Sequence, residues 1–125
     1  LIGGAGTDGL DGGTGSDTLD GGAGNDVMNG GGNADIFLFV AGFGNDTINQ
    51  FDADPAGAAA NLGQDRIDIT GLGITAATFA ASVTITDLGA NTQVSFTGST
   101  DTILLNGVSQ VGANTVDIND FILAA

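Results

Sequence analysis

Along the first fifty residues the apolar positions are sparse and evenly spaced: Leu10, Leu19, Met28 and Phe37 stand nine apart, and Ile48 follows after eleven. An amphipathic helix would repeat every three or four positions and a half-buried strand every two, so neither fits. The spacing predicts a glycine-rich turn of six residues followed by a strand of three, repeated. Past Ile48 the pattern changes. Residues 51–65 hold the only Pro and an Ala-rich stretch, and predict a loop. Residues 66–70 predict a strand, and 75–82 a short helix capped by Thr75. Residues 83–87, 92–96 and 101–105 alternate or run apolar between turn residues, which predicts a small antiparallel sheet. Phe37, Phe39, Phe51, Ile69, Phe79, Ile85, Phe96, Leu104 and Phe121 form the candidate core.

The first part is a repeat. Residues 3–11 read GGAGTDGLD, 12–20 GGTGSDTLD, 21–29 GGAGNDVMN and 30–38 GGGNADIFL; a degenerate fifth copy, AGFGNDTIN, spans 41–49. Gly supplies the positive φ and close backbone approach of a tight turn, Asp follows, and three residues make a minimal strand. Such units stack rather than fold singly, with Leu10, Leu19, Met28, Phe37 and Ile48 pointing inward. If successive strands alternate between two facing sheets, one coil takes two copies. Asp8 then stacks near Asp26, Asp17 near Asp35, and, across the two-residue insertion, Asp26 near Asp46.

Composition turns this geometry into chemistry. The chain of 125 residues has 15 acidic residues, all Asp, against one cation, Arg66, giving a formal charge of −14. Neighbouring strands are about 4.8 Å apart, so stacked carboxylates repel by about 0.9 kcal/mol per pair in water and about 3.5 kcal/mol at an effective dielectric of 20. A hard divalent cation between coils reverses the sign. Carboxylate and backbone carbonyl oxygens are the donors Ca²⁺ prefers, six to eight of them, while Mg²⁺ suits flexible, carbonyl-rich sites less well. Calcium is therefore expected to be part of the fold.

Other classes fall away. With no Cys, His or Lys there are no disulfides, zinc sites or Cys, His and Lys nucleophiles. The charge opposes nucleic acid and anionic membrane surfaces, and no apolar run reaches the roughly 20 residues of a membrane helix. A hydrophobic content of 42% is too high for a disordered acidic chain. The chain opens on Leu1 without a basic-then-apolar leader, which predicts a piece of a longer polypeptide.

Residues 3–38 resemble the GGxGxDxUx nonapeptide of the RTX family, in which that pattern binds Ca²⁺. The resemblance implies an all-β chain: a right-handed parallel β-roll over residues 1–50, followed by a small antiparallel β cap and type I secretion segment over 51–125, in one continuous domain. It implies three or more Ca²⁺ ions between turns two copies apart. One would take Gly4, Gly6, Asp8, Gly21, Ala23 and Asp26. A second would take Gly13, Gly15, Asp17, Gly30, Gly32 and Asp35, and a third Gly22, Gly24, Asp26, Ala41, Phe43 and Asp46. Asn33, where the pattern has Gly, and the missing first Gly of the fifth copy weaken the match there.

The order FGNDTI, FD, DRIDI, strands and terminal DFIL is similar to the C-terminal segments of type I secreted proteins, including serralysin-type protease C-domains. It implies that Asp65 helps bind a further ion and that Asp120–Leu123 resembles an uncleaved export signal. The implied partners are the type I export machinery and an upstream passenger of the same polypeptide, with a secreted, extracellular location where Ca²⁺ is abundant, or association with the cell surface. Two other readings stand beside this one. One is the anchoring or assembly terminus of a Ca²⁺-crosslinked surface-layer or adhesin protein, with self-assembly. The other is an accessory module of an extracellular enzyme, as in alginate-modifying enzymes.

Residues 4–9, GAGTDG, match a dinucleotide-binding fingerprint only formally, because no strand–helix context follows. An EF-hand needs a Glu, and there is none. Paired Asp carboxylates hydrolyse glycosides in a cleft, but these are matched to repeating turns, so the segment is expected to be non-catalytic. Asp11 and Asp20, which end their copies, and Asp54 and Asp101, beyond the repeats, are expected at the solvated surface.

Overall fold

The computed structural model describes residues 1–52, 64–110 and 115–125; the loop expected at 51–65, with Asp54, lies mostly outside them. The strands are β1 (Ile2–Ala5), β2 (Gly9–Asp11), β3 (Thr18–Ala23), β4 (Val27–Asn29), β5 (Ile36–Leu38), β6 (Asn45–Asn49), β7 (Arg66–Asp68), β8 (Val83–Asp87), β9 (Thr92–Phe96), β10 (Thr102–Asn106) and β11 (Phe121–Ile122). They form two sheets, ordered β1-β3-β5-β7-β11 and β2-β4-β6-β10-β9-β8. Consecutive repeats therefore alternate between sheets, and each strand pairs in parallel with the strand two copies away. This is a parallel β-roll followed by antiparallel strands.

Register follows from the repeat. Leu10 lies opposite Met28, Met28 opposite Ile48 and Ile48 opposite Leu105, forming one inward apolar column. Leu19, Phe37, Ile67 and Phe121 form the other. All eight are buried, because a three-residue strand presents only its central side chain to the space between the sheets. The parallel stack runs on past the repeats, since β7, β10 and β11 each add a parallel rung. The antiparallel strands β9 and β8 then extend the second sheet from β10 rather than making a sheet of their own.

Three expectations need correction. Leu104 is only half-buried, whereas Ile103 and Leu105 are fully enclosed, because pairing with β6 sets the parity of β10. Ile85 packs against the core while only partly covered. The helix of 75–82 shortens to one turn, Phe79–Ser82, and Thr75 does not cap it; the Thr75 N–H instead donates to Thr78 Oγ1 at 3.0 Å. Among the described residues, no helix is long and apolar enough to cross a membrane.

Candidate metal centre

The turns hold two columns of aspartates. The Asp8 N–H donates to Asp26 Oδ1, and the Asp26 N–H to Asp46 Oδ1, both at 2.8 Å. In the second column the Asp17 N–H donates to Asp35 Oδ1 at 2.8 Å, and the Asp35 N–H to Asp65 Oδ1 at 2.9 Å. Asp65, 30 residues beyond Asp35, thus occupies the rung that a repeat would have occupied. Each bond fixes the Oδ1 of the later carboxylate, while the Oδ2 atoms of Asp8, Asp17, Asp26 and Asp35 lie against the first glycine of their own turns, Gly3, Gly12, Gly21 and Gly30. The Oδ2 atoms of Asp8, Asp17, Asp26, Asp35 and Asp46 are all buried without a hydrogen-bond partner. Burying a carboxylate oxygen unpaired is costly, so five such atoms in register are the position where a cation fits. Asp65 differs, because its Oδ2 accepts the Asp52 N–H at 3.0 Å.

Backbone oxygens crowd the same turns. The carbonyls of Gly4 and Gly6 lie against Gly22 and Gly24 so closely that a Cβ on either glycine would collide with them, and both glycines have positive φ. In the first implied set, the Gly21 carbonyl faces Gly3 and the Ala23 carbonyl accepts the Gly6 N–H at 2.8 Å. In the second, the Gly30 carbonyl faces Gly12, the Gly13 carbonyl accepts the Gly32 N–H at 3.0 Å, and Gly15 shares the turn with Asp17. In the third, the Phe43 carbonyl accepts the Gly24 N–H at 3.0 Å and the Gly24 carbonyl lies against Gly44, while Ala41 is exposed at the start of its turn. Asn33 takes φ 77°, the conformation of the glycine it replaces, which Asn tolerates better than most residues. Among the described residues no three acidic side chains converge. A cation here would take two carboxylates, and carbonyls would complete its shell, which is a Ca²⁺ donor set.

Electrostatics agree. Burial is the main cause that pushes Asp46 up to about 6; the Asp26 amide opposes it, and the charges of Asp26, Asp101 and Asp20 add to it. Burial likewise pushes Asp65 up to about 6, against the amides of Asp52 and Asp35 and with the charges of those same residues.

One residue is misplaced by sequence reasoning. Asp101 is not a solvated surface acid: its Oδ2 accepts the Gly42 N–H at 2.9 Å and its Oδ1 the Gly44 N–H at 3.2 Å. The triplet Asp101-Thr102-Ile103 is identical to Asp46-Thr47-Ile48 but would have placed Asp101 over Asp46, not at these amides. Asp101 also borders a cavity of about 240 Å³ lined by Phe43, Leu72, Ile74 and Phe96 among others. Its carboxylate is the sole titratable side chain in that lining and is already bonded to two amides.

The RTX calcium-binding nonapeptide repeat matches residues 2–37 in four copies. The solution structure of the AlgE6R3 subunit from the Azotobacter vinelandii mannuronan C5-epimerase is similar over 99% of this chain and 72% of that one, at 32% identity and a TM-score of 0.65. The AlgE6R2 subunit of the same enzyme aligns over 99% of this chain and 92% of that one, at 18% identity and a TM-score of 0.39. No curated protein sequence matches the chain.

Proposed function

Because this chain belongs to the family of RTX calcium-binding β-roll repeat domains, we propose that it is a calcium-dependent folding and export module of a larger secreted bacterial protein. The observation that carries this is the set of five buried Asp Oδ2 atoms without partners, one in each turn of two hydrogen-bonded aspartate columns. Asp8 with Asp26, Asp26 with Asp46, and Asp17 with Asp35 would each hold one ion together with the turn carbonyls named above; Asp35 with Asp65 would hold a fourth. The bound ions supply the positive charge that lets stacked carboxylates share the turns.

Repeats of this class are typical of secreted proteins. Extracellular Ca²⁺ sites have Kd of about 10⁻⁴–10⁻³ M, so at millimolar Ca²⁺ each adds only about 0.4–1.4 kcal/mol. A switch therefore needs several ions filled together, which a stack of coupled coils provides. Where Ca²⁺ is scarce the chain stays unfolded and able to thread an export channel; outside, it folds and assists the passenger to which it is joined. The tail supports a signal read before folding, since Asp120 and Phe121 are buried and β11 pairs with β7 once folded.

Circular dichroism during Ca²⁺ titration tests the folding role. The expected result is coil in metal-free buffer and β structure at millimolar Ca²⁺; an unchanged β spectrum without metal would refute it. Deleting residues 120–125 is expected to reduce export of a fused passenger, and normal export would remove the tail's signal role. A second reading, an accessory module of an extracellular enzyme, is favoured by the similarity to an epimerase subunit over nearly the whole chain. Calcium-dependent retention on a polymeric substrate by the isolated chain would select it.

A further inference from the structure

The turns of the roll hold one another by a recurring bond that fails at the last turn. The Gly6 N–H donates to the Ala23 carbonyl, and the Gly24 N–H to the Phe43 carbonyl, so the fourth residue of one turn is held by the third residue of the turn two copies later. For Gly44 no later turn of this kind follows among the described residues. Its N–H is taken instead by Asp101 Oδ1, and the Gly42 N–H by Asp101 Oδ2.

The replacement depends on a slip in register. If the identical triplets were superposed, Asp101 would stand over Asp46 and add another carboxylate to that column. In the structure Thr102 lies opposite Asn45 and Ile103 opposite Asp46, two residues out of that alignment. The slip keeps the inward side chains inward, because it is even. It also brings the carboxylate back to the amides of Gly42 and Gly44, where its charge is matched by donors rather than opposed by another carboxylate. The same slip lets the Thr102 N–H take the Gly44 carbonyl at 2.9 Å, so that oxygen already has a donor on the side of β10. Between these two glycines sits Phe43, whose ring packs on Phe39 and Phe96 at centroid distances of 4.8 and 5.9 Å.

From this we infer that Asp101 is a positioning residue for the ion between Asp26 and Asp46: it holds both flanks of Phe43, and so presents the Phe43 carbonyl and Asp46 to that ion. The inference rests on the proposed reading of Phe43 and Asp46 as ligands. It makes the last site of the first column depend on the C-terminal strands, since Asp101 immediately precedes β10.

Calorimetric titration of the full chain with CaCl₂ tests this, using Asp101→Ala, Asp101→Asn and, as a charge control in a different turn, Asp87→Asn. Loss of a residue that orients ligands typically weakens metal binding about 10–100-fold, so Asp101→Ala is expected to weaken one ion by that factor and spare the others. Asp101→Asn, which keeps one acceptor oxygen, is expected to fall between, and Asp87→Asn to behave as wild type. Should Asp101→Ala fail to fold, Asp101→Asn still reports, as do the backbone amide resonances of Gly42 and Gly44, which should shift more than other glycine amides in that variant. Unchanged affinities in both Asp101 variants, equal weakening of every ion, or identical behaviour of Asp87→Asn and Asp101→Asn would overturn the inference. Asp26→Asn separates the two levels: if it leaves all ions in place, the ligand reading itself fails; if it loses ions while Asp101→Ala does not, only the role of Asp101 fails.

Discussion

Asp26 shows what a single residue does in a stacked fold. Its N–H bonds to Asp46, its Oδ1 accepts from Asp8, and its Oδ2 is buried unpaired beside Gly21 of its own turn. Being in the middle of its column, it faces two of the proposed ions, whereas Asp17 ends its column and faces one. Asp26→Ala is therefore expected to remove about twice as many bound ions as Asp17→Ala when stoichiometry is measured by equilibrium dialysis; equal losses would contradict the column arrangement. The raised carboxyls give a pH dependence of definite sign. Asp46 and Asp65 bind protons up to about pH 6 in the metal-free fold, against an ordinary value of 3.8. The folded state then holds more protons than the unfolded chain between those values, so metal-free stability rises as pH falls from 6 toward 3.8 and is lost as pH rises through 6. With Ca²⁺ present the sign reverses, because protons compete for the same oxygens. Circular dichroism in metal-stripped buffer should show more β structure at pH 4.5 than at pH 7, and the Ca²⁺ midpoint should move to higher concentration below about pH 6.

At the level of elements, how much could be read in advance varied with how local the cause was. The inward columns of Leu10, Met28 and Ile48 and of Leu19 and Phe37 were legible, because one nine-residue motif dictates turn, strand and facing direction together. So was the stacking of Asp8 on Asp26 and Asp17 on Asp35, which follows from two repeats per coil. β10 was not legible in the same way. In Ile103-Leu104-Leu105 every residue is apolar, so no local alternation chooses the buried face; pairing with β6, 57 residues away, does so. The role of Asp101 was hidden for the same reason, since it depends on that distant register. Asp65 came only through family resemblance, as the intervening stretch breaks the period. The parity of β10 is testable. Leu105→Ala is expected to cost about 2–5 kcal/mol of stability in chemical denaturation with Ca²⁺ present. Leu104→Ala should cost less than half as much, and the reverse order would place β10 in the wrong register.

Over the whole molecule, the repeats and the later strands share both sheets. β5 passes to β7 and on to β11 in one, and β6 to β10 in the other. Arg66, the chain's single cation, reinforces the junction by donating from Nη2 to the Phe121 carbonyl at 3.1 Å. Phe121 in turn packs on Phe79 at a centroid distance of 5.0 Å. Removing Ca²⁺ is therefore expected to dissolve both halves in one step, with the methyl resonances of Leu10 and Leu105 fading together as chelator is added. Survival of the Leu105 signal after loss of Leu10 would mean that the C-terminal strands stand alone.

The alternation of repeats between sheets sets a rule for chains that carry longer or shorter arrays. β1 belongs to one sheet and β2 to the other, so each nine-residue unit advances the backbone by half a revolution. Inserting one unit ahead of Gly3 would make the preceding polypeptide approach from the opposite side, and inserting two would restore it. The number of units, odd or even, thus acts as a rotary setting with two stops, orienting whatever is fused upstream without changing a side chain in the C-terminal half.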